Sequence, residues 1–247
     1  MQTQIKDNKN NLDKSPERVK CMFSSIAPWY DFLNHFLSLG IDCYWRRRVV
    51  NLIFSELQES GGIDSILDVC CGTGDLIREF IKRSKSNCEI TGIDFSEKMI
   101  ELACKKLPKI SDKLIVGDAT ELPFKSENFR VVSCAFGLRN ISEMERGLEE
   151  MIRVCKLDGI VAILEFSMPR NYFVRCLYKF YFADILPLVG NFFAGARTNA
   201  YNYLPQSVLN FDTPQSISSR MQRLGLDDIK IVPMTFGIVN LIYGKKI

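Results

Sequence analysis

After Gly61-Gly62 the chain alternates short β-rich runs with amphipathic stretches: "SILDVC", "DLIREFIKRS", "EITGID", "SEKMIELACKKL" and "KLIVGD". Compact apolar runs suit strands covered on both faces, and the stretches between them carry apolar residues at helical spacing. The order β-α-β-α-β dictates a parallel sheet with right-handed helical crossovers. "FRVVSCAF" reads as a fourth strand, "ISEMERGLEEMIRVC" as a helix that Ser142 and Glu145 open as a capping box, and "GIVAILEF" as a fifth strand. A helix over about 214–224 follows, then "DDIKIVPM" and "GIVNLIYGKK", close enough in sequence to pair antiparallel.

The flanks differ from this rhythm. Residues 1–17 are polar and read as a loose tail; residues 18–60 carry apolar residues at near-helical spacing, interrupted at Pro28 and Gly40, and read as two or three helices forming a lid. Segment 172–203 holds ten aromatic residues and reads as an aromatic helical insertion. With 247 residues, 47% of them hydrophobic, residues 18–247 can share one core as a single domain. A net charge of +3 is too mild to make nucleic acid the expected partner. Nine scattered cysteines without C-x-x-C spacing read as reduced, small hydrophobes, and no metal is expected. The polar start lacks the apolar stretch of a signal peptide, so a cytoplasmic setting is expected.

In a parallel sheet, ligands lie beyond the carboxyl ends of the strands. "ILDVCCGTGD" (66–75) ends a strand there, and Gly72-Thr73-Gly74 lets the backbone turn sharply with no side chain between amides and ligand. A pyrophosphate cradle wants G-x-G-x-x-G, but Ile77 takes the third position and glycine is also missing at Cys70. Asp94, about twenty residues on, ends the second strand where a carboxylate can accept both ribose hydroxyls. Asp118 follows the third strand and, with the backbone of Ala119, can meet an adenine edge. "GTG" alone is a common turn; joined to two strand-end acids it specifies an adenosine site. With no pyrophosphate to cradle, S-adenosylmethionine is the better ligand than NAD.

"MFSSIAPWYDFLNHFLSLGIDCYWRR", "LDVCCGTGD", "GIDFSEKM", "GDATELPF", "FGLRN", "EMIRVCK", "LEFSMP" and "YNYLPQSV" lie in register over nearly the whole chain after about residue 18. Together they resemble the ubiquinone/menaquinone biosynthesis C-methyltransferase family, of the demethylmenaquinone methyltransferase type. The resemblance implies a class I methyltransferase fold, Rossmann-like α/β with a seven-stranded sheet and the last strand antiparallel. It also implies S-adenosylmethionine as donor, a prenylated hydroquinone as acceptor, and Thr73, Asp94, Asp118 and Ala119 at cofactor positions. Two departures stand out: the family's "KPGG" turn appears as "KLDG" (156–159), and Phe236 and Ile242 replace a glycine and a histidine near the C-terminus. The second departure bears on how the last hairpin packs against the acceptor.

Methyl transfer to a ring carbon is an in-line displacement that needs alignment, exclusion of water and electron density on the carbon. Loss of a phenolic proton supplies that density. Arg139 and Asn140 in "FGLRN" stand at the rim of the same crevice. Arginine stays protonated, so Arg139 is expected to stabilise a phenolate or orient a water, and Asn140 to bond the second ring oxygen. The alternative for Arg139 is an ion pair capping the next helix. Tyr30 and Asp31 lie on the lid, Tyr30 facing the sulfonium and Asp31 pairing with a backbone amide or capping a helix. His35, the only histidine, is titratable near neutrality but reads first as a solvated helix residue.

No stretch is long and apolar enough to span a bilayer, since Lys179, Asp184 and Pro187 interrupt 177–196. The aromatic segment is read either as a cover cradling the proximal isoprene units, peripheral at the cytoplasmic face of the inner membrane, or as ordinary core. Arg46, Arg47 and Arg48 read as a solvated helix face, with headgroup contact the alternative. The leading function is C-methylation of demethylmenaquinol to menaquinol. A ubiquinol precursor, another hydrophobic phenol or sterol, a quinone-binding scaffold and a nicotinamide oxidoreductase are the alternatives; a homo-oligomer stays open.

Overall fold

The computed structural model describes residues 16–58, 62–84, 87–180 and 200–247. Two helices, α1 (Pro16–Leu37) and α2 (Ile41–Glu56), precede the sheet. There follow β1 (Ser65–Val69), α3 (Asp75–Arg83), β2 (Glu89–Asp94), α4 (Glu97–Lys106), β3 (Leu114–Val116), β4 (Phe129–Ala135), α5 (Met144–Val154) and β5 (Cys155–Phe166). The remaining elements are α6 (Tyr172–Phe180), α7 (Ala200–Leu209), α8 (Pro214–Arg223), β6 (Leu226–Met234) and β7 (Val239–Lys246). The strands form one seven-stranded sheet in the order β3-β2-β1-β4-β5-β7-β6. β1 to β5 are parallel, and β7 runs antiparallel to both β5 and β6. The expected alternation and final antiparallel hairpin are both present.

All five residues of β1 are buried, as a central parallel strand covered on both faces requires. Successive side chains point to opposite faces, so Ile66 joins Trp45, Ile53 and Phe80 under α2 and α3, while Leu67 joins Leu148, Met151 and Met221 under α5 and α8. Helix starts follow local chemistry: Ser96 caps α4 by accepting from Met99 N at 3.4 Å, and Thr213 caps α8, with Pro214 next, by accepting from Ser216 N at 3.2 Å.

Several local expectations need correction. α1 runs through Pro28 without a break, and the chain turns at Leu39-Gly40, where both residues have positive φ. α5 starts at Met144 after Glu143, with no side-chain cap, because Ser142 faces a cleft instead. β5 begins at Cys155 rather than Gly159, since Cys155 pairs with Phe129 before a bulge restores register at Ile160. Within that bulge Asp158 takes φ +57°, a left-handed conformation that Asp tolerates, so "KLDG" keeps a turn made elsewhere with glycine. Ile242 is buried in the sheet core and Phe236 is 82% exposed at the β6–β7 turn, φ +57°. The expectation for the tail falls mostly on residues 1–15 and that for the aromatic insertion largely on 181–199; both stretches lie outside the described residues.

Candidate active site

β1 and β4 are neighbours, but their helices leave in opposite directions across the sheet, and a cleft opens beyond their carboxyl ends. Its empty space, open solvent included, is about 780 Å³. Gly72, Asp94, Asp118, Ala119, Phe136 and Asn140 line it, together with Phe23 and Tyr30 of α1.

The turn after β1 is shaped by backbone. Cys70, Gly72 and Gly74 all have positive φ, and α3 starts directly behind them. Cys70 thus holds a left-handed conformation usually left to glycine, which explains the missing fingerprint residue. A Cβ added at Gly72 would meet nothing within 4 Å, so no side chain stands between this turn and the cleft. Gly74 instead packs under α4, where an added Cβ would stand 2.6 Å from Leu107 Cδ1.

Asp94 is 6% exposed. Its Oδ2 accepts from Gly72 N and its Oδ1 from Ser96 N, each at 2.9 Å, which fixes the carboxylate and leaves one lone pair on each oxygen for a diol. Burial pushes its pKa up to about 6 against the opposing pull of those two amides. Asp118 Oδ1 is held by Thr120 N and Oγ1, both at 2.8 Å. Neither lysine nor arginine lines the cleft among the described residues. Two acids, a bare glycine turn and no cation reject a pyrophosphate and fit a nucleoside that carries positive charge; S-adenosylmethionine meets that requirement.

Thr73 is placed differently. It is buried, does not line the cleft, and donates from Oγ1 to Asp31 Oδ1 at 2.5 Å while accepting from Lys106 Nζ at 3.0 Å. Asp31 therefore pairs with the turn and a lysine, not with a lid amide or a helix end. His35 is not simply solvated: its Nδ1 bonds Asp42 Oδ2 at 2.8 Å and its Nε2 lies 3.9 Å from Asp75 Oδ2. It does not line the cleft. His35, Asp42 and Cys43 bring ligand atoms within 4.8 Å of one another, but Arg46 and Ser38 already occupy the Asp42 carboxylate. Arg46 is buried in that pairing, whereas Arg47 and Arg48 are exposed.

Behind Phe136, outside the cleft lining, lies an aromatic cluster that also holds Arg139, so the expectation of Arg139 at the rim is corrected. Phe136 and Phe166 lie 4.6 Å apart, and Trp45 meets both, at 6.1 and 5.9 Å. Arg139 is buried over Phe166; its Nη1 donates to Phe136 O and Glu165 Oε1, both at 2.6 Å, and its backbone N to Glu165 Oε2 at 3.3 Å. Its partner is thus Glu165 at the end of β5, not the helix that follows it. Arg139 Nε has no hydrogen-bond partner among the described residues. Asn140 Oδ1 accepts from Tyr203 Oη at 3.0 Å. Burial raises the pKa of both Tyr30 and Tyr203, with Arg139 pulling each back down. Tyr203, Glu165 and the two phenylalanines escaped sequence reasoning as site residues, although "LEFSMP" and "YNYLPQSV" had marked two of their neighbourhoods.

Sheet order, antiparallel last strand and a cation-free cleft at the β1–β4 switch define an S-adenosylmethionine-dependent methyltransferase. Residues 9–246 match the ubiE/COQ5 methyltransferase family, and the chain belongs to that family. The chain is 40% identical over 239 residues to the ubiquinone/menaquinone biosynthesis C-methyltransferase of Geotalea daltonii, covering 95% of this chain and 99% of that one. It is also 40% identical to the demethylmenaquinone methyltransferase of Thermotoga maritima over 235 residues, covering 95% and 98%. Among solved structures, a SAM-dependent methyltransferase of Thermotoga maritima superposes with a TM-score of 0.64 at 17% identity over 93% of this chain and all of that one, a likeness of fold.

Proposed function

We propose that the chain transfers a methyl group from S-adenosylmethionine to the unsubstituted ring carbon of a demethylated menaquinol, with a ubiquinol precursor as a second acceptor. The observation that carries this is a single cleft lined both by the carboxylates Asp94 and Asp118 and by Phe136, Asn140 and Tyr30. Relatives named for both quinones support the choice of acceptor. In this reading residues 18–247 act as one methyltransferase domain, with 18–60 as lid and 172–203 as cover.

Bound donor supplies an electrophilic methyl on a sulfonium. Asp94 would hold the ribose diol and Asp118 with Ala119 the adenine, while Gly72, its N–H donated to Asp94, would leave the backbone open to the donor. Phe136 stacks an apolar wall that excludes water from the ring. Asn140, its Oδ1 fixed by Tyr203, bonds a ring oxygen, and the buried Arg139 charge favours that oxygen as phenolate. Glu165 keeps the guanidinium in place. Tyr30, which lines the cleft from α1, would meet the positive charge of the bound donor.

No described helix is long and apolar enough to cross a membrane. A prenylated acceptor resides in lipid, which supports reading the chain as a cytoplasmic enzyme with peripheral contact to the inner membrane. Tyr172, Phe173 and Leu177 of α6, all more than 60% exposed, offer apolar contact there. Methyl-labelled donor incubated with short-chain demethylmenaquinol, a demethylated ubiquinol and a simple naphthol tests the assignment. Label in the menaquinol first is expected; label only in the naphthol, or in none, overturns it.

A further inference from the structure

Lys106, the last residue of α4, lies outside the cleft, yet its ammonium meets three separate elements. Nζ stands 2.5 Å from Asp31 Oδ2 on lid helix α1, 3.0 Å from Thr73 Oγ1 in the glycine turn, and 2.8 Å from Asp75 Oδ1 in the first turn of α3. Thr73 completes the ring by donating to Asp31 Oδ1 at 2.5 Å. The side chains of Lys106 and Asp31 are 23% and 32% exposed, so the cluster is closed enough to hold and open enough to release.

We propose that Lys106 is a positioning residue for the cofactor: its ammonium latches the lid to the glycine turn, so that lid closure and cofactor capture are one event. Asp31 follows Tyr30 directly, and Tyr30 and Phe23 are, among the described residues, the α1 side chains that face the cleft. Holding Asp31 down therefore holds that aromatic face over the ligand. Without the ammonium, the carboxylates of Asp31 and Asp75 face each other across Thr73. Arg46 and Arg78 reach Asp75 only at 3.8 Å, and Asp75 Oδ2 already lacks a hydrogen bond among the described residues. Like charges then push the lid away while the turn loses its fixed hydroxyl. This inference rests on the proposed cofactor reading and adds to it a coupling between lid and donor.

Binding of S-adenosylhomocysteine to the full chain, by calorimetry, together with hydrogen exchange over residues 16–37, tests the latch. Lys106→Met is expected to weaken binding about tenfold and to abolish the ligand-dependent protection of α1, with KM for the donor rising far more than kcat falls. Asp31→Asn should do the same from the lid side, the double variant should be no worse than either single one, and Lys106→Arg should recover most of the affinity. High salt should weaken the wild type more than Lys106→Met. Binding by Lys106→Met within twofold of wild type, or α1 protection that survives the substitution, overturns the proposal, as does full additivity of the two single variants. Should Lys106→Met fail to fold, Asp31→Asn with normal affinity and protection overturns it equally. A wild-type chain with no affinity for S-adenosylhomocysteine overturns both the latch and the methyltransferase reading.

Discussion

Asp94 is a carboxylate enclosed without a cation, held only by two backbone N–H groups. Its ligand-free pKa of about 6 means that many copies carry a proton just below neutrality. Ribose hydroxyls donate best to the ionised form, so donor binding lowers this pKa and expels a proton. Affinity for S-adenosylhomocysteine should therefore be highest above pH 6 and fall about fivefold to tenfold between pH 7 and pH 5. Calorimetry across that range, in buffers of different ionisation enthalpy, reads both the slope and the released proton; Asp94→Asn should bind more weakly and flatten the slope. Strand-end acids such as Asp94 and Asp118 were legible because the strand pattern alone puts them at the crevice. Tyr203 with Asn140, Glu165 with Arg139 and Lys106 with Thr73 were not, being separated by 63, 26 and 33 residues. No local period carries such pairings. His35 was misread for the same reason, as both its carboxylate neighbours lie on other helices.

At the level of elements, the β1 and β4 ends are built against each other. A Cβ on Gly137 would stand 2.4 Å from Cys70 Cβ, an atom anchored to its own backbone and unable to swing aside. Gly137→Ala should force the two strand ends apart, lowering stability by about 1–3 kcal/mol and weakening donor binding with it. Gly72→Ala should behave differently. Its added methyl meets no protein atom, so the fold should lose only about 1 kcal/mol to the positive φ, while donor binding is lost to the methyl in the cleft. Thermal melts and binding isotherms of the two variants separate these outcomes. The strands were readable from apolar runs, but their edges were not. The bulge that starts β5 early, the continuity of α1 through Pro28 and the uncapped start of α5 depend on contacts made after the elements assemble.

Across the whole molecule, burial rather than pairing governs the carboxyls that titrate near neutrality. Asp68, bonded to Ser133 Oγ at 2.8 Å, has its pKa pushed up to about 7, and Asp94 to about 6. A raised carboxyl pKa favours the folded state while the group is protonated, so the stability it contributes is lost as pH rises from about 4 through 7. Asp42, Asp75, Glu56 and Glu150 are shifted the other way, and their contribution is lost only as pH falls below about 4. Ligand-free protein should therefore be most stable near about pH 4 to 5. Asp68→Asn, whose amide oxygen still accepts from Ser133, should gain about 1–3 kcal/mol at pH 8 and little at pH 5, as urea unfolding at both values would reveal. The sheet order, by contrast, has a temporal meaning. β7 lies between β5 and β6, so the seam joining the outermost strand to the rest is closed by residues synthesised after every other strand of the sheet. A nascent chain halted before Val239 would expose two raw hydrogen-bonding borders at once, so the interval before β7 emerges is the one in which this sheet is most open to pairing with its neighbours.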